Sequence, residues 1–180
     1  MGDPRRLRKK YATPNNPFEK ERIVEEFSYL GKYGLRNKKE FRRHKYQLSK
    51  MRQLARSNKT LPQEIREDRF AELRESLVKI GLVNPDAHSD DILSLSVENI
   101  LERRLQTIVF KNGLAKTITQ ARQLTTHGHI AVNNNVIDSP SYLVKKEDKV
   151  TYSINSPFHE DQSKIWGLGK SAPKEEVVEE

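Results

Sequence analysis

The stretch LTTHGHIAVNNNVIDSPSY, from Leu124 to Tyr142, contains the clearest change of local pattern in the sequence. Before Gly128 the apolar residues recur at helical spacing, and after it they alternate as in a β-strand. Gly128 is therefore predicted to be the left-handed residue that ends a helix. Asn133-Asn134-Asn135 predicts a hairpin turn, because asparagine tolerates positive φ. This stretch alone predicts a helix followed by a β-hairpin.

The residues on either side extend this pattern. Val97 to Asn112 is predicted to be a single helix with an apolar stripe, ended by Gly113. Thr117-Ile-Thr-Gln120 is a capping box that opens the helix leading to Gly128. Lys149 to Ile154 alternates again and is predicted to be a closing strand. Together these elements predict a small module of two helices, a hairpin, a loop and a strand.

A basic helix is predicted further upstream. Asn37-Lys-Lys-Glu40 resembles a capping box, and the helix should run to about Arg56 with His44 on its buried stripe. Cations crowded on one helix repel each other unless phosphates neutralise them. The helix therefore indicates nucleic-acid contact, with a merely solvated face as the alternative. The predicted contact residues are Lys38, Lys39, Arg42, Arg43, Lys45, Arg52 and Arg56.

An acidic segment separates this helix from the module. Thr60-Leu-Pro-Gln63 is a further capping box, and its helix should end at Gly81. We expect this helix to pack on the basic one and to make no RNA contact. Ile92 to Leu95 is predicted to be a short apolar linker.

Charge is segregated along the 180 residues, although the net charge is only +8. Residues 1–59 hold 18 Lys and Arg against 6 Asp and Glu, whereas residues 60–99 hold 4 against 9. This pattern predicts a polyanion-binding surface with an acidic shoulder. A basic helix on a membrane surface is the alternative, but no long apolar stretch or lipidation motif supports it. A mean hydropathy of -0.83 indicates that some segments become ordered only against a partner.

Both ends of the chain are predicted to lie outside the core. Residues 1–17 are polar, basic and proline-rich, which predicts an extended RNA-binding arm, with a disordered solubilising tail as the alternative. Residues 171–180 are predicted to be a disordered acidic tail. The arm residues predicted to contact RNA are Arg5, Arg6, Arg8, Lys9 and Lys10.

His127-Gly128-His129 allows several interpretations. The chain has no cysteine, so a zinc clip would need further ligands from other histidines or carboxylates. The motif is also a scrambled form of the synthetase signature His-Ile-Gly-His, but it follows a helix and no phosphate-binding loop accompanies it. The favoured interpretation is an RNA-binding corner, where imidazoles donate to phosphate or stack on a base. No metal and no cofactor are expected.

Several fragments in order carry a family resemblance. Leu-Glu-Arg-Arg-Leu-Gln-Thr, Ala-Arg-Gln-Leu, His-Gly-His-Ile-Ala-Val-Asn, Pro-Ser-Tyr and Glu-Asp-Lys-Val, within residues 101–152, resemble the RNA-binding S-four domain. That domain also occurs in tyrosyl-tRNA synthetases and pseudouridine synthases. Arg-Lys-Lys-Tyr-Ala-Thr-Pro, Glu-Lys-Glu-Arg-Ile and Lys-Tyr-Gly-Leu-Arg-Asn-Lys-Lys-Glu resemble the archaeal and eukaryotic branch of the S-four family of small-subunit ribosomal proteins. The resemblance covers most of residues 8–170.

The resemblance implies an RNA surface on the two helices and the first hairpin strand. Periodicity independently places Arg103, Arg104 and Lys111 opposite the apolar stripe of the first helix. Asn134 departs from relatives, which usually have glycine there, and the cysteine cluster of many bacterial relatives is absent, so no zinc is implied. The implied RNA-binding residues are Arg103, Arg104, Lys111, Lys116, Arg122, Gln123, Thr126, His127, His129 and Asn133.

The resemblance also implies a function without covalent chemistry. It implies a structural constituent of the small ribosomal subunit that binds and organises rRNA early in assembly. The place implied is cytoplasmic, near the mRNA entry channel and beside the neighbouring protein S-five, with no membrane and no small-molecule substrate. The alternatives are a free-standing RNA-binding factor and an accessory domain of an RNA-modifying enzyme such as a pseudouridine synthase. Residues 1–99 are too short, basic and helical to supply the catalytic domain of such an enzyme.

The predicted fold class is α+β, a basic helical region joined to a small helix-helix-β-hairpin module. The extended arm covers residues 1–17 and the helical rRNA-binding region 18–99. The RNA-binding module covers 100–154. Residues 155–170 are expected to pack back on the helical region, and 171–180 form the acidic tail.

Overall fold

The computed structural model describes residues 9–159. The α+β fold class is confirmed, because helices are followed by a small antiparallel sheet. In chain order the elements are α1 (Lys20–Tyr33), α2 (Lys38–Lys59), α3 (Gln63–Ile80), α4 (Ser89–Ser94), α5 (Val97–Glu102), α6 (Leu105–Lys111), α7 (Ile118–Thr126), β1 (Ile130–Val132), β2 (Asn135–Val136) and β3 (Val150–Tyr152).

Helix α2 is the centre of the helical region and contacts α1, α3, α4 and α5. The predicted cap is confirmed, because the Asn37 side chain accepts a hydrogen bond from the Glu40 amide at 3.0 Å. The predicted stripe is also confirmed, with Phe41, His44 and Leu48 all buried. Burial of this apolar stripe, more than helix propensity, stabilises so highly charged a helix.

Two predictions for the acidic segment are wrong. Helix α3 begins at Gln63 after Pro62, and the hydroxyl of Thr60 donates back to the Ser57 carbonyl instead of capping it. Residues 89–94, predicted to be partly linker, form α4 and bury Ile92. The apolar run was too short to show helical periodicity, so its packing against α2 decided its conformation.

The helix predicted from Val97 to Asn112 is divided in two. Arg104, with φ -67° and ψ 140°, is extended and interrupts the helix between α5 and α6. A later loop pairs with this break: the Leu105 amide donates to the Tyr142 carbonyl at 2.8 Å, and Val144 donates to the Arg103 carbonyl at 3.0 Å. These non-local bonds replace helical ones, so the side chains of α5 do not continue the stripe of α6.

The module has the predicted order of elements. The strands form an antiparallel sheet in the order β2-β1-β3, with Ile130 opposite Tyr152. The predicted hairpin is present: Val132 pairs with Asn135, and Asn133 and Asn134, with φ of 50° and 65°, form its two-residue turn. Gly128, at φ 75°, follows α7 as predicted. The buried face of the sheet packs on α6 and α7 to form the module core.

The helical region and the module have separate apolar cores. Leu105, Val109, Leu124 and Ile130 belong to the module core. The residues that precede the break, Ile100 and Leu101, pack into the helical region instead. Within residues 9–159, the helices are too short or too polar to span a membrane.

Candidate nucleic-acid interface

The outward face of α2 carries cations and an aromatic ring. Lys39, Arg43 and Lys50 are exposed, and Tyr46 lies between the last two on the same face. The ammonium of Lys50 lies 5.2 Å from the centroid of the Tyr46 ring, and that of Lys39 lies 5.2 Å from the ring of Tyr11. Within the described residues, no carboxylate pairs with these three cations. Such a surface offers charge to phosphates and a ring to an unstacked base.

Other predicted cations of α2 divide into free and paired groups. Lys45 and Arg56 are exposed and have no acidic partner among residues 9–159. The buried carboxylate of Glu26 accepts a hydrogen bond from Arg42 Nη2 at 3.2 Å and lies 3.9 Å from Lys38 Nζ. Arg42 and Lys38 therefore contribute to the packing of α1 on α2, and less of their charge remains for an external ligand.

Two predicted arginines donate to backbone carbonyls. Arg52 Nη2 lies 2.5 Å from the Leu95 carbonyl, and Arg103 Nη2 lies 2.8 Å from the Val144 carbonyl. The Nε atom of each is buried without a partner among the described residues. Both guanidinium groups are half-buried, so they hold loops against the helical region as much as they present charge.

The exposed edge of the module is mainly polar. Lys116, Gln123, Thr126 and His127 are exposed on or beside α7. The Thr126 hydroxyl donates to the Arg122 carbonyl at 3.0 Å. Their contacts with RNA stay predictions.

Two further module residues already have partners. Lys111 is exposed, but its ammonium lies 3.6 Å from a carboxylate oxygen of Glu102. Asn133 donates to Asp148 at 2.8 Å and accepts from the Lys149 amide at 3.0 Å. The side chain of Asn133 thus fixes the loop before β3 to the hairpin turn.

The two histidines form an aromatic corner. The rings of His127 and His129 are stacked with centroids 6.3 Å apart, and Phe158 meets His129 edge-on at 5.1 Å. The Nδ1 atom of His129 lies 3.2 Å from the Ser156 hydroxyl. Within residues 9–159, no group of three or more His, Asp or Glu side chains could hold a metal ion. The RNA-binding interpretation of this corner stays a prediction.

The expectation that Arg104 faces outward is wrong. Its side chain is fully buried, and its Nη1 lies 2.6 Å from Nε2 of His44. Its Nη2 lies 3.4 Å from a carboxylate oxygen of Glu40. The break before α6 directs Arg104 between the module and α2, where RNA cannot reach it.

Arg122 is also turned toward α2. Its Nη2 lies 2.6 Å and its Nη1 3.2 Å from the two carboxylate oxygens of Glu40, which is a bidentate pair. Burial raises the pKa of Glu40, but the hydrogen bonds and charge of Arg122 and the charge of Arg104 outweigh it, so the pKa is lowered. Glu40 therefore remains ionised between two guanidinium groups.

The same junction changes the titration of a histidine. Burial, together with the positive charge of Arg104, lowers the pKa of His44 to about 4. A neutral His44 can accept the hydrogen bond from Arg104 at Nε2. The prediction that His44 is packed is confirmed.

Sequence reasoning missed several exposed lysines. Lys50 falls on the stripe of Lys39 and Arg43, four residues after Tyr46, and that spacing could have identified it. Lys145, Lys146 and Lys149 are exposed in the loop before β3, and their density in the sequence was the available signal. Lys149 adjoins the hairpin turn through its backbone bonds to Asn133.

The predicted arm lies mostly outside the described residues. Arg5, Arg6 and Arg8 fall before residue 9, so their contacts stay predictions. Lys9 and Lys10 are exposed, and the ammonium of Lys9 lies 4.6 Å from the Tyr11 ring centroid. Of the segment 155–170, the structure describes only residues 155–159. Its Phe158 contacts the module core, and the packing of the rest on the helical region stays a prediction.

The helix pair, the hairpin and the polar edge of α7 define a domain class. The family described as "S4 domain", which is the S-four domain named above, matches residues 103–150. The match begins at the break between α5 and α6, where the module core also begins.

Relatives extend the similarity to nearly the whole chain. The small ribosomal subunit protein uS4 of Ignicoccus hospitalis is 48% identical over 160 residues, which cover 88% of this chain and 96% of the relative. The proteins of the same name from Hyperthermus butylicus and Saccharolobus solfataricus are 49% and 50% identical. Those matches cover 88% of this chain in each case, and 91% and 89% of the relatives. The chain belongs to the uS4 family of small ribosomal subunit proteins. The relatives are named as ribosomal proteins, which confirms the expectation that this protein is not an enzyme.

Proposed function

We propose that this protein is a cytoplasmic structural constituent of the small ribosomal subunit that binds and organises small-subunit rRNA. Membership of the uS4 family supports this proposal. The finer parts of the proposal rest on the family resemblance. They are action early in assembly, a position near the mRNA entry channel, and contact with the neighbouring protein S-five.

The main support for an RNA-binding role is that several exposed cations have no carboxylate partner among the described residues. Lys39, Arg43 and Lys50 on α2, and Lys116 beside α7, are exposed and have no carboxylate partner within the described part of the chain. The acidic helix α3 differs, because Lys79 pairs with Glu75 at 2.8 Å. Unpaired charge grouped on two elements supports binding to a polyanion, because each neutralised phosphate releases counterions.

The proposed interface therefore differs from the sequence-based one. Arg104 is excluded by its burial, and Lys50 and Lys149 are added. Arg42 and Arg122 are assigned to packing, with some charge left at the surface. The proposed domain division is otherwise that of the sequence, with Ile100 and Leu101 on the helical side of the boundary.

A salt titration of binding to a small-subunit rRNA transcript tests the proposal. Lys39→Ala, Arg43→Ala and Lys116→Ala should each weaken binding and reduce the salt slope by roughly one unit, because each removes one phosphate contact. Lys79→Ala is the matched control and should leave the slope unchanged. Thermal melts should be the same for all four variants, since these side chains are exposed. Unchanged slopes in the three test variants would refute this interface.

The alternative of a free-standing RNA-binding factor needs a different measurement. A ribosomal constituent should be present in stoichiometric amounts in small subunits after a high-salt wash. Sedimentation of washed subunits, followed by quantification of this chain, distinguishes the two roles. Loss of the protein in the wash would favour the free-standing factor.

A further inference from the structure

The helical region and the module meet through polar groups as well as through the chain itself. Glu40, at the start of α2, faces Arg122 on α7 and Arg104 before α6. The apolar cores lie on the two sides of this junction, and Leu143 of the module packs against the core of the helical region. Directional, charge-assisted hydrogen bonds therefore provide much of the contact that could fix the angle between the helical region and the module, which are called the two bodies below.

We propose that Glu40 is a positioning residue that holds the helical region and the module at a fixed angle. Its two carboxylate oxygens accept hydrogen bonds from Arg122 at 2.6 and 3.2 Å, so the pair is fixed in direction as well as distance. The second oxygen also lies 3.4 Å from Arg104. One carboxylate on α2 thus ties together the start of α6 and the middle of α7.

Burial makes this contact hard to replace. The Arg104 side chain is fully buried, and Glu40 is only 17% exposed. A buried guanidinium that loses its carboxylate is left as an uncompensated charge, which destabilises the closed contact between the helical region and the module. His44, the other partner of Arg104, accepts a hydrogen bond but supplies no negative charge.

Close backbone contact next to Glu40 supports the same role. The side-chain amide of Gln106 donates through Nε2 to the Gly34 carbonyl at 3.0 Å and to the Ile118 carbonyl at 2.9 Å. Gly34 has φ 58°, and a Cβ there would lie 2.7 Å from Gln106 Nε2. The turn between α1 and α2 therefore contacts α6 and α7 directly, beside the bidentate pair of Glu40 and Arg122.

The fixed angle affects RNA binding because the proposed RNA surface is divided between the helical region and the module. In this respect the inference rests on the proposed function. Lys39 and Arg43 lie on the helical region, and Lys116 and His127 on the module. When two binding surfaces are held in the correct relation, the second contact forms at high effective concentration. A loose junction would weaken binding to RNA that spans both surfaces and would not affect RNA that occupies one.

Distance measurement between two spin labels tests the inference without RNA. The chain has no cysteine, so Ser49→Cys on α2 and Asp138→Cys after β2 provide two unique and exposed label sites. The parent should give one narrow distance distribution. Glu40→Gln should broaden or shift it, because an amide cannot pair with two guanidinium groups as a carboxylate does. Glu98→Gln, which removes the exposed Lys32–Glu98 pair at 3.2 Å, is the control and should match the parent.

An unchanged distribution in a folded Glu40→Gln protein would overturn the inference. If that variant does not fold, the same distance measurement on Arg122→Lys tests the inference. This substitution keeps the charge and removes the bidentate hydrogen bonds to Glu40. A broadened distribution supports the inference, and a parent-like one refutes it. Circular dichroism identifies the folded variants.

A binding measurement then tests the consequence for RNA. Affinity of Glu40→Gln for the small-subunit rRNA transcript should fall by about tenfold or more, whereas affinity for a short oligouridylate should match that of the parent. A broadened distribution with unchanged rRNA affinity would refute the role in binding. If the parent itself failed to bind rRNA, the proposed function would be wrong, and the distance distributions would still decide the role of Glu40.

Discussion

His44 shows how a single buried residue acquires its properties from distant parts of the chain. Its position on the apolar stripe of α2 was sufficient to predict burial. Its hydrogen bond to Arg104 joins residues 60 positions apart in the sequence, and no local pattern predicts it. The low pKa of His44 follows from burial and from that guanidinium.

This environment predicts a pH dependence of stability. The pKa of His44 is about 4 in the folded protein and 6.5 ordinarily, so between these values the unfolded chain binds a proton that the folded one does not. The free energy of unfolding should therefore fall as the pH is lowered from 7 to 5, by about 2 kcal/mol from this residue. Urea unfolding at both pH values measures the difference.

His44→Gln provides the comparison for this prediction. Glutamine offers an oxygen acceptor to Arg104 and does not titrate, so the variant should lose less stability than the parent between pH 7 and pH 5. Carboxylates change little in this range, because their ordinary pKa values lie lower. Equal losses in the two proteins would show that His44 is already protonated in the fold, or that it contributes nothing.

At the scale of an element, the β1–β2 hairpin depends on its two turn residues. Asn133 and Asn134 both have positive φ, the conformation that a two-residue turn of this type requires. Asn134→Ala should lower the free energy of unfolding by about 1–2 kcal/mol, because alanine pays the steric cost of the left-handed region. Asn134→Gly should cost little, since glycine adopts this conformation freely. Thermal or urea unfolding measures both.

Asn112→Ala is the control for the hairpin. Asn112 is an exposed asparagine that follows α6 with φ -75°, so alanine causes no backbone strain there. A loss of stability as large as that of Asn134→Ala would mean that the effect is not due to positive φ. The prediction would then be wrong.

The division of the predicted helix 97–112 also belongs to this scale. Periodicity alone gave a continuous helix, because both halves have apolar residues at helical spacing. The extended conformation of Arg104 is stabilised by an antiparallel bridge to Leu143, 39 residues later. The residues near Arg104 in the sequence do not indicate that Leu143 is its partner.

At the scale of the whole molecule, the predictions concern the separation of charge. The basic α2 and the acidic α3 pack against each other, as expected from their composition. Residues 173–180 hold 1 Lys and 4 acidic residues, so this end should repel phosphate.

Removal of the acidic end tests this expectation. Deletion of residues 171–180 should leave affinity for small-subunit rRNA unchanged or slightly increase it, as measured by filter binding at two salt concentrations. The effect, if present, should be larger at low salt, where electrostatic repulsion is less screened. A clear loss of affinity would show that the tail contributes to binding.

The sequence by itself determined the elements whose causes are local. The cap at Asn37, the turn at Asn133-Asn134 and the helix end at Gly128 each follow from the conformational preferences of one or two residues. The buried stripe of α2 follows from helical spacing, and the family resemblance followed from the order of short motifs.

Only the tertiary structure decided which cations remain free. Arg104, Arg122 and Arg43 look alike in the sequence, yet the first is buried, the second pairs with Glu40, and the third is exposed. The physical reason is that a cation's availability depends on whether a carboxylate or a carbonyl lies within hydrogen-bond distance, and here those acceptors come from distant segments. Charge is a property of the residue, whereas its pairing is a property of the fold.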